Sequence, residues 1–534
     1  MKKFLNLCFI LLMLFIVSGK VGAQVVSNVV AYDSTNSKFT ALDFDGQGNI
    51  YFSGYIRPTT TSNQFGNLSY QGYWYEDGLS CKSNASGLLD WMTVSGNSNG
   101  LEDSKAIKVF GTSVYSIGKF ISNTTSIFVN QATYPYPYGC CHGGYVLKQS
   151  TTGAFEWIFP LPAYALDMTV DNVGNCYVIT ENQMKKISPL GVEIWNVDIG
   201  DLIESKLLLN QDTLCVSATF QSALVLNGNV LEPYGPANDV DGLLARFTSS
   251  GNLISVTQIG SPGYDRIHDI TSDQNGQLWI SGQCADSAFF GNQALCDSGN
   301  RIYFLRLNSF LQIEHCDVIP FDTIIHWPDI TGEVVFVAGN ERVAALNISN
   351  DLIIFGDTLH VNIAGGYEGT CILVKWDANG NIVWYRYLAE SVSSPGSAAW
   401  VSAHLKKGLN GNLVLAGQMR EPCLINGIVY NPGHYYNAFF ANLSDTTFST
   451  AIADNGPDVG VEYENPVSTS VNFHFNEQAD TELELYDLSG RKVLFIRQKN
   501  CSGIFVDLNS YSNGLYLFHL KIGKKNFTGK LIKM

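Results

Sequence analysis

The chain has 534 residues, of which 15% are charged and 12% aromatic, and it contains 50 glycines. This composition is typical of short strands joined by tight turns and excludes an architecture of long, charged helices. The apolar fraction of 46% is sufficient for large cores and argues against disorder. A formal net charge of −16 repels phosphate backbones, so we predict no nucleic-acid partner.

The N-terminus has the pattern of a secretory signal peptide. Lys2 and Lys3 precede an apolar run from Phe4 to Val17, which is too short to span a membrane comfortably. Small residues then lead to Ala23, the kind of position after which a signal peptidase cuts. We therefore predict a signal peptide over residues 1–23, cleaved between Ala23 and Gln24.

A first pattern recurs along the body: turn residues, a short strand, then small residues. Clear copies are present at residues 45–54, 171–179, 273–282 and 410–417. Glycine and asparagine accept positive φ and close a tight hairpin, and the β-branched or aromatic residues that follow favour a strand. A small pair at the end allows a neighbouring backbone to approach closely. With weaker copies included, the pattern predicts roughly seven units.

A second pattern lies between these copies: a strand ending in a basic residue, a glycine turn, and a strand containing tryptophan. Lys148 with Trp157 and Lys375 with Trp384 are examples. Apolar stretches such as residues 352–356 are expected to supply a further strand, which gives about four strands per unit. Such units repeated around an axis form a β-propeller, which we predict over residues 24–450.

The predicted fold class is therefore all-β, a roughly seven-bladed β-propeller followed by a small Ig-like β-sandwich. The segment Val25–Tyr32 is expected to pair with the last unit, Cys423–Leu443, because ring closure removes exposed strand edges. The alternation of Gly-Asn turns, aromatic strands and Ser-Gly ends resembles bacterial propeller repeats of the SBBP or NHL-like type. The resemblance implies a propeller but no fixed activity.

A second domain is predicted at residues 462–534, after a linker at 451–461 that is rich in turn-forming residues. Short strand-like runs follow the linker, and in the run at 482–485 two leucines alternate with two glutamates. Alternation of this kind is typical of a strand with one buried face. Several short antiparallel strands of this type predict the small sandwich.

The C-terminal domain also contains four recognisable motifs: an Asn-Pro opening, a Leu-Tyr-Asp-Leu-Ser-Gly-Arg-Lys hairpin, a Gly-Leu-Tyr-Leu strand and a lysine-rich end. Their main residues are Asn465, Pro466, Asp487, Gly490, Arg491, Lys492, Gly514, Tyr516 and Lys533. Together they resemble the type A C-terminal sorting domain of the type IX (Por) secretion system of Bacteroidetes-type bacteria. In this chain the usual Tyr-Pro-Asn-Pro opening reads Tyr-Glu-Asn-Pro. The resemblance implies the secretion machinery as a partner, passage through periplasm and outer membrane, and release or attachment at the outer-membrane surface.

The cysteines indicate one candidate disulfide and no metal site. Cys284 and Cys296 flank a predicted hairpin, in a compartment that permits disulfides, and we expect them to pair. The cysteine and histidine spacings match no zinc motif. Aspartate-rich turns such as Asp43–Asp45 lack the ligand spacing of a calcium loop. We predict neither a metal nor a cofactor.

No catalytic residue can be assigned from the sequence. A G-x-S-x-G string at residues 96–100 lies in an Asn-Gly turn without the following helix of a nucleophile elbow, and H-E-x-x-H does not occur. We favour a non-enzymatic surface platform whose loops meet a glycan or protein ligand. The aromatic loop Tyr134–Tyr138 is one candidate contact, although packing over a blade end is the simpler interpretation. The alternative is a secreted hydrolase of glycans or peptides, which requires aspartates and glutamates to converge in the central channel.

Overall fold

A computed structural model of the chain is built entirely from strands and connecting turns in the part that it describes. It describes residues 25–533 except for 33–35, 59–62, 74–75, 97–100, 122–124, 140–141, 236–238, 274, 286, 296–298, 322–330, 339–340, 349–350, 355–356, 360–368, 393–397, 409–410, 421, 426–427, 432–435, 445–460, 464–466, 468, 487–491, 510, 512–513 and 524. Over these residues no helix is present that could cross a membrane. The strands belong to two compact units, one spanning Val25–Ser444 and the other containing the strands from Val461 to Lys533.

The described residues of the body form seven sheets of four or more antiparallel strands, numbered in chain order. Sheet 1 contains Asn36–Phe44, Ile50–Arg57, Asp77–Ser83 and Leu89–Gly96, and sheet 2 contains Leu101–Phe110, Ser113–Ile121, Gly143–Ser150 and Phe155–Leu161. Sheet 3 contains Ala165–Val170, Cys176–Thr180, Gln183–Ile187 and Glu193–Asp198, and sheet 4 contains Glu204–Asn210, Thr213–Phe220, Asp241–Thr248 and Leu253–Gly260. Sheet 5 contains Arg266–Ser272, Leu278–Cys284, Arg301–Leu307 and Ile313–Pro320, and sheet 6 contains Thr331–Ala338, Glu341–Ile348, Thr370–Trp376 and Ile382–Tyr387. Sheet 7 contains Val401–Lys407, Leu413–Met419, Asn437–Ser444 and, as its fourth strand, Val25–Tyr32.

The first strands of the sheets surround a central axis. Each first strand contacts the first strand of the next sheet, and the contact between sheets 7 and 1 completes the ring. Hydrogen bonds also close the ring, because Val25–Tyr32 pairs antiparallel with Asn437–Ser444, with Val26 opposite Leu443. The predicted propeller and its closure by the N-terminal strand are therefore confirmed.

The first sequence pattern forms the hairpin between the first and second strands of a sheet. In sheet 1 the carboxylate of Asp45 accepts hydrogen bonds from the backbone N–H groups of Gln47 and Asn49. Gly48 has a φ of +82°, a conformation that a side chain would strain. Asp171 and Asp273 organise the same turn in sheets 3 and 5. Asp377 does so in the turn between the third and fourth strands of sheet 6. Each of these carboxylates accepts two backbone N–H groups of its own turn, which supports the hairpin interpretation over a calcium loop.

The second pattern forms a recurring contact between neighbouring sheets, in which a lysine, a tyrosine and a tryptophan of one sheet pack against a turn of the next. We call this contact the lock. In sheet 2 the ammonium group of Lys148 lies 5.4 Å from the ring centroid of Tyr115. Trp157, opposite Lys148 on the fourth strand, packs edge-on against the same tyrosine. The indole N–H of Trp157 donates to the carbonyl of Pro189 in sheet 3 at 2.9 Å. Gly191 of that turn lies against the indole, where an added Cβ would be 3.0 Å from the ring.

The same lock joins sheets 1 and 2 and sheets 3 and 4. Its lysine, tyrosine and tryptophan are Lys82, Tyr51 and Trp91 in sheet 1, and Lys186, Tyr177 and Trp195 in sheet 3. In both, the indole N–H donates to a turn carbonyl of the next sheet, at 3.0 and 3.2 Å. The recurrence of basic residue, glycine and tryptophan in the sequence is thus explained by contacts between sheets.

The apolar stretches between second and third strands form short hairpins. Two of them supply the further strand that we predicted, because Ser126–Val129 pairs with the fourth strand of sheet 1 and Phe289–Phe290 with the fourth strand of sheet 4. The others lie in small sheets of their own. Six sheets carry such a hairpin, with strands Asn63–Phe65 and Leu68–Tyr70, Ser126–Val129 and Ala132–Pro135, Leu224–Leu226 and Asn229–Leu231, Phe289–Phe290 and Gln293–Ala294, Leu352–Ile354 and Asp357–Leu359, and Cys423–Ile425 and Ile428–Tyr430, the last paired with Glu390–Ser391. The strand that completes each set of four is the first strand, which neither pattern marked. In sheet 3 the second strand leads directly to the third, across Glu181 and Asn182. This explains the shorter spacing between units near residue 180.

The C-terminal unit is a small antiparallel assembly with its own core. Its strands are Val461–Glu462, Ser470–Tyr486, Lys492–Asp507, Gly514–Ile522 and Lys525–Lys533. Two strands are longer than predicted, because the ladder continues through the expected breaks with register shifts between His474 and Thr481. Leu483 and Leu485 are fully buried and the glutamates beside them are partly exposed, as the alternation predicted.

Candidate functional site

Charged side chains from the first strands of all seven sheets meet along the propeller axis. We call this set the axial cluster; it consists of Asp43, Lys108, Asp167, Lys206, Asp269, Glu333, His404 and Lys406. All are partly exposed, as expected for side chains that line a channel. Asp43 and Lys406 are 363 positions apart in sequence, yet their charged groups lie 2.5 Å apart. The structure therefore shows a convergence of acidic residues that the sequence left open.

Two carboxylates of the axial cluster join neighbouring first strands. Asp43 accepts a hydrogen bond from the backbone N–H of Val109 at 2.7 Å, and Asp167 accepts one from Leu207 at 2.8 Å. Burial alone would lower the pKa of Lys206, but Asp167 and the other channel carboxylates raise it above its ordinary value. These contacts cross from one sheet to the next, so the charges stabilise the ring.

Glu333 and Asp269 have opposite pKa shifts within the same channel. Glu333 pairs with Nδ1 of His404 at 2.7 Å and accepts the backbone N–H of Leu405 at 2.6 Å. Burial alone would raise the pKa of Glu333, but His404 and the other contacts lower it to about 2. Burial and the charge of Glu333 raise the pKa of Asp269 to about 7. An ionised carboxyl beside one that is partly protonated near neutral pH is an arrangement that acid–base catalysis can use.

A second acidic group, Asp239, Asp241 and Asp265, lies where the third strand of sheet 4 and the first strand of sheet 5 begin. Asp241 accepts hydrogen bonds from the backbone N–H of Tyr234 at 3.0 Å and from the side-chain amide of Gln258 at 2.5 Å. Burial, followed by the charges of Asp265 and Asp239, raises the pKa of Asp241 to about 7. Over the described parts of the chain, no group of three or more histidine, cysteine or acidic side chains has the geometry to hold a metal ion.

Asp241 is expected to make the stability of the propeller pH-dependent. Its pKa is about 7 in the folded chain and about 4 in an unfolded one, so the folded state holds the proton more tightly. This contribution to stability is complete below pH 4 and is lost as the pH rises through 7. Asp241→Asn should therefore reduce the fall in unfolding free energy between pH 5 and pH 8 by roughly 2 kcal/mol. Chemical unfolding at both pH values measures this difference. The exposed Asp198 provides the control Asp198→Asn, and equal pH profiles for the two variants would contradict the expectation.

Four of the predicted sorting residues lie in the described part of the chain. Lys492 is exposed and forms an ion pair with Glu484 at 2.5 Å. Gly514 begins a strand, Tyr516 is buried, and Lys533 ends the last strand in a buried position. The remaining residues, Asn465, Pro466, Asp487, Gly490 and Arg491, lie outside the described residues, as do Ala23 and Gln24 of the predicted cleavage site.

Cys284 is buried at the end of the second strand of sheet 5 and is disulfide-bonded. Cys296 lies outside the described residues, so its pairing with Cys284 stays a prediction. We expect digestion without reductant to yield one peptide that joins these two cysteines, observable by mass spectrometry. A reduced and alkylated sample serves as the control, and a freely alkylated Cys296 in the native protein would contradict the pairing.

The aromatic loop between residues 134 and 138 mainly packs against its own sheet. Tyr136 is buried, and its hydroxyl donates to the carbonyl of Leu161 at 2.8 Å. Tyr134 stacks on Phe155 with ring centroids 4.6 Å apart. Tyr138 alone among the three tyrosines is exposed. The packing interpretation of this loop is therefore the better supported one.

Residues 463–534 match the family described as the secretion system C-terminal sorting domain. The chain therefore carries this domain at its C-terminal end, which indicates export by the type IX secretion system to the cell surface or the medium. No curated protein matches the chain.

Several solved structures are similar to the chain at low identity. A Bacteroides caccae protein of unknown function is 13% identical, with 52% of this chain and 94% of that chain covered and a TM-score of 0.27. The Pan2 WD40 domain of Neurospora crassa is 8% identical, with coverages of 63% and 88% and a TM-score of 0.26. A eukaryotic initiation factor is 9% identical, with coverages of 88% and 98% and a TM-score of 0.28. TM-scores this low carry no argument, and the propeller assignment rests on the sheet order and the ring of strand contacts.

Proposed function

We propose that the propeller acts outside the cell as a non-enzymatic platform that binds a glycan or protein ligand. One observation carries this proposal: Asp43, Asp167 and Glu333 of the axial cluster accept backbone N–H groups from neighbouring first strands. Carboxylates that hold the ring together are committed to structure, and a rigid ring is a suitable support for binding loops.

The route to the surface completes the proposal. The signal peptide is removed between Ala23 and Gln24, and the sorting domain then engages the type IX machinery at the outer membrane. N-terminal sequencing of the exported protein tests the first step, with Gln24 as the expected first residue. A protein that retains residues before Gln24 would contradict it.

Arrays of glycans and proteins, probed with the mature chain, test the binding role. We expect specific binding without turnover in a broad hydrolase screen of the same preparation. Turnover that disappears in Asp269→Asn would overturn the non-enzymatic proposal. Asp198→Asn, at an exposed site away from the axis, provides the control for preparation artefacts.

A hydrolase of glycans or peptides is the second candidate, because Asp269 and Glu333 have opposite pKa shifts in the same channel. In that case Asp269 would be the general acid and Glu333 the ionised partner. Asp269→Asn and Glu333→Gln should then each reduce turnover by at least about a hundredfold. Activity that survives both substitutions would exclude the axial cluster as its source.

A further inference from the structure

The lock between sheets is absent at the interface of sheets 4 and 5. Strand register places Cys215 of sheet 4 where sheets 1 to 3 have tyrosine, opposite Arg246 at the lysine position. Ser255, opposite Arg246 on the fourth strand, stands where the other three sheets have tryptophan. The residue before Ser255 is Ile254. In sheets 1 and 2 the corresponding position, directly before the tryptophan, is an acidic residue that forms an ion pair with the lysine of the lock. Both aromatic rings of the lock are thus missing from this interface, as they are from that of sheets 7 and 1, where Val414 and Ser27 stand at the two ring positions.

The turn of sheet 5 that faces sheet 4 also differs from the corresponding turns of the other locks. Its glycine position is occupied by Leu311, which has a φ of +59° and is buried in the same apolar cluster as Cys215. Leucine in this conformation is strained, so the packing around it must hold the turn in place. The leucine side chain fills part of the space left by the missing rings. A cavity of about 390 Å³ remains, which is within the range of small-ligand sites.

Arg246 supplies this cavity with a positive charge that forms no ion pair in the described residues. The lining also contains one carboxylate, Glu314, which pairs with Arg306 at 3.5 Å. One guanidinium nitrogen donates to the carbonyl of Ser309 at 2.6 Å, the turn position that accepts a tryptophan N–H in the other locks. The Nε atom is buried and has no hydrogen-bond partner, and no acidic group pairs with Arg246 in the described part of the chain. In sheet 2, by contrast, Lys148 pairs with Glu156 at 2.9 Å. A buried guanidinium N–H without an acceptor is costly unless a ligand satisfies it.

The rest of the lining is rich in amides. Gln211, Asn275 and Gln277 contribute side-chain amides, a group that can both donate hydrogen bonds to hydroxyl groups and accept them. The amide N–H of Gln277 already donates to Glu314 at 3.0 Å, which leaves its oxygen as an acceptor. Leu278 and Leu307 add an apolar wall. A ligand that carries one carboxylate and several hydroxyl groups matches this combination of charge, amides and a small apolar surface.

We propose that this cavity binds a uronic acid residue of a glycan, with the sugar carboxylate on Arg246 and the hydroxyl groups on the surrounding amides. The proposal rests on the proposed binding role of the propeller and names its ligand class. An uncharged hexose lacks the carboxylate that the guanidinium requires, so the site should discriminate strongly between the two.

Titration calorimetry of the mature chain with methyl glucuronide and methyl glucoside tests the proposal. The wild-type chain should bind the glucuronide, and Arg246→Gln should weaken that affinity at least about tenfold, as expected for loss of a charge-assisted hydrogen bond. The glucoside should bind weakly to both. Lys148→Gln, at an intact lock away from the cavity, is the matched control and should leave glucuronide affinity unchanged.

A triple variant, Cys215→Tyr with Ser255→Trp and Leu311→Gly, restores the residues of the lock used by sheets 1 to 3. Since it reproduces packing that the chain already contains, it should fold with an unchanged or higher melting temperature and lose glucuronide binding. Binding retained by the folded triple variant, or equal affinities for wild type and Arg246→Gln, would overturn the proposal. If array ligands bind but the glucuronide does not, the cavity proposal fails and the platform stands. If no ligand of any class binds, both fail.

Discussion

Removal of residues 463–534 is expected to abolish export and to leave the propeller inside the cell envelope. The sorting domain is a separate compact unit with its own buried core, so its loss should not prevent the propeller from folding. Immunoblots of cell, periplasm, outer-membrane and medium fractions from a host with type IX secretion measure the effect. Equal amounts of truncated and full-length chain at the cell surface or in the medium would refute the assignment.

Point substitutions separate loss of the folded domain from loss of chain length. Leu485 is fully buried in the C-terminal core, and a charge there would be left without a partner, so Leu485→Asp should unfold the domain and block export. Glu482 is adjacent on the partly exposed face, and Glu482→Gln should leave export unchanged. Deletion of the last strand, Lys525–Lys533, removes the buried Leu531 and should behave like Leu485→Asp.

Features that depend on neighbouring residues could be predicted from the sequence. The turn at Asp45 uses Gln47, Gly48 and Asn49, all within four positions, so the residue types alone indicate a hairpin. The alternation around Leu485 likewise marks a strand with one buried face. The closing strand could be predicted because a ring of sheets requires its terminal segments to pair.

Features that depend on distant residues could not be predicted. Asp43 and Lys406 meet only because seven sheets return the chain to its starting point. Nothing in the local sequence of either residue indicates that contact. The cavity beside Arg246 is harder still to foresee, because it arises from side chains that are absent at Cys215 and Ser255. Their significance emerges only when strand register aligns sheet 4 with its neighbours.

Gly282→Ala is expected to destabilise the propeller by about 3 kcal/mol, a large effect for one methyl group. Gly282 is the small residue near the end of the second strand of sheet 5. A Cβ at this position would lie 2.1 Å from the carbonyl oxygen of Arg266 and 2.2 Å from the hydroxyl of Tyr303. The carbonyl belongs to the adjacent strand, and the tyrosine is fully buried with its hydroxyl donating to that same carbonyl at 2.7 Å. Neither group can move without breaking the ladder or the hydrogen bond, so the strain cannot be relieved locally.

Two other glycines of the repeat give a graded control for this expectation. Gly46 has no atom within 4 Å of an added Cβ, and Gly46→Ala should leave the melting temperature of the propeller nearly unchanged. Gly48 has equally open surroundings but a φ of +82°, so Gly48→Ala should cost about 1 kcal/mol through backbone strain alone. Calorimetric melting of the three variants therefore separates steric exclusion from turn conformation. If Gly282→Ala and Gly46→Ala have the same melting temperature, the small residue at the strand end is not needed for close approach of the backbone. The physical interpretation of the repeat must then change.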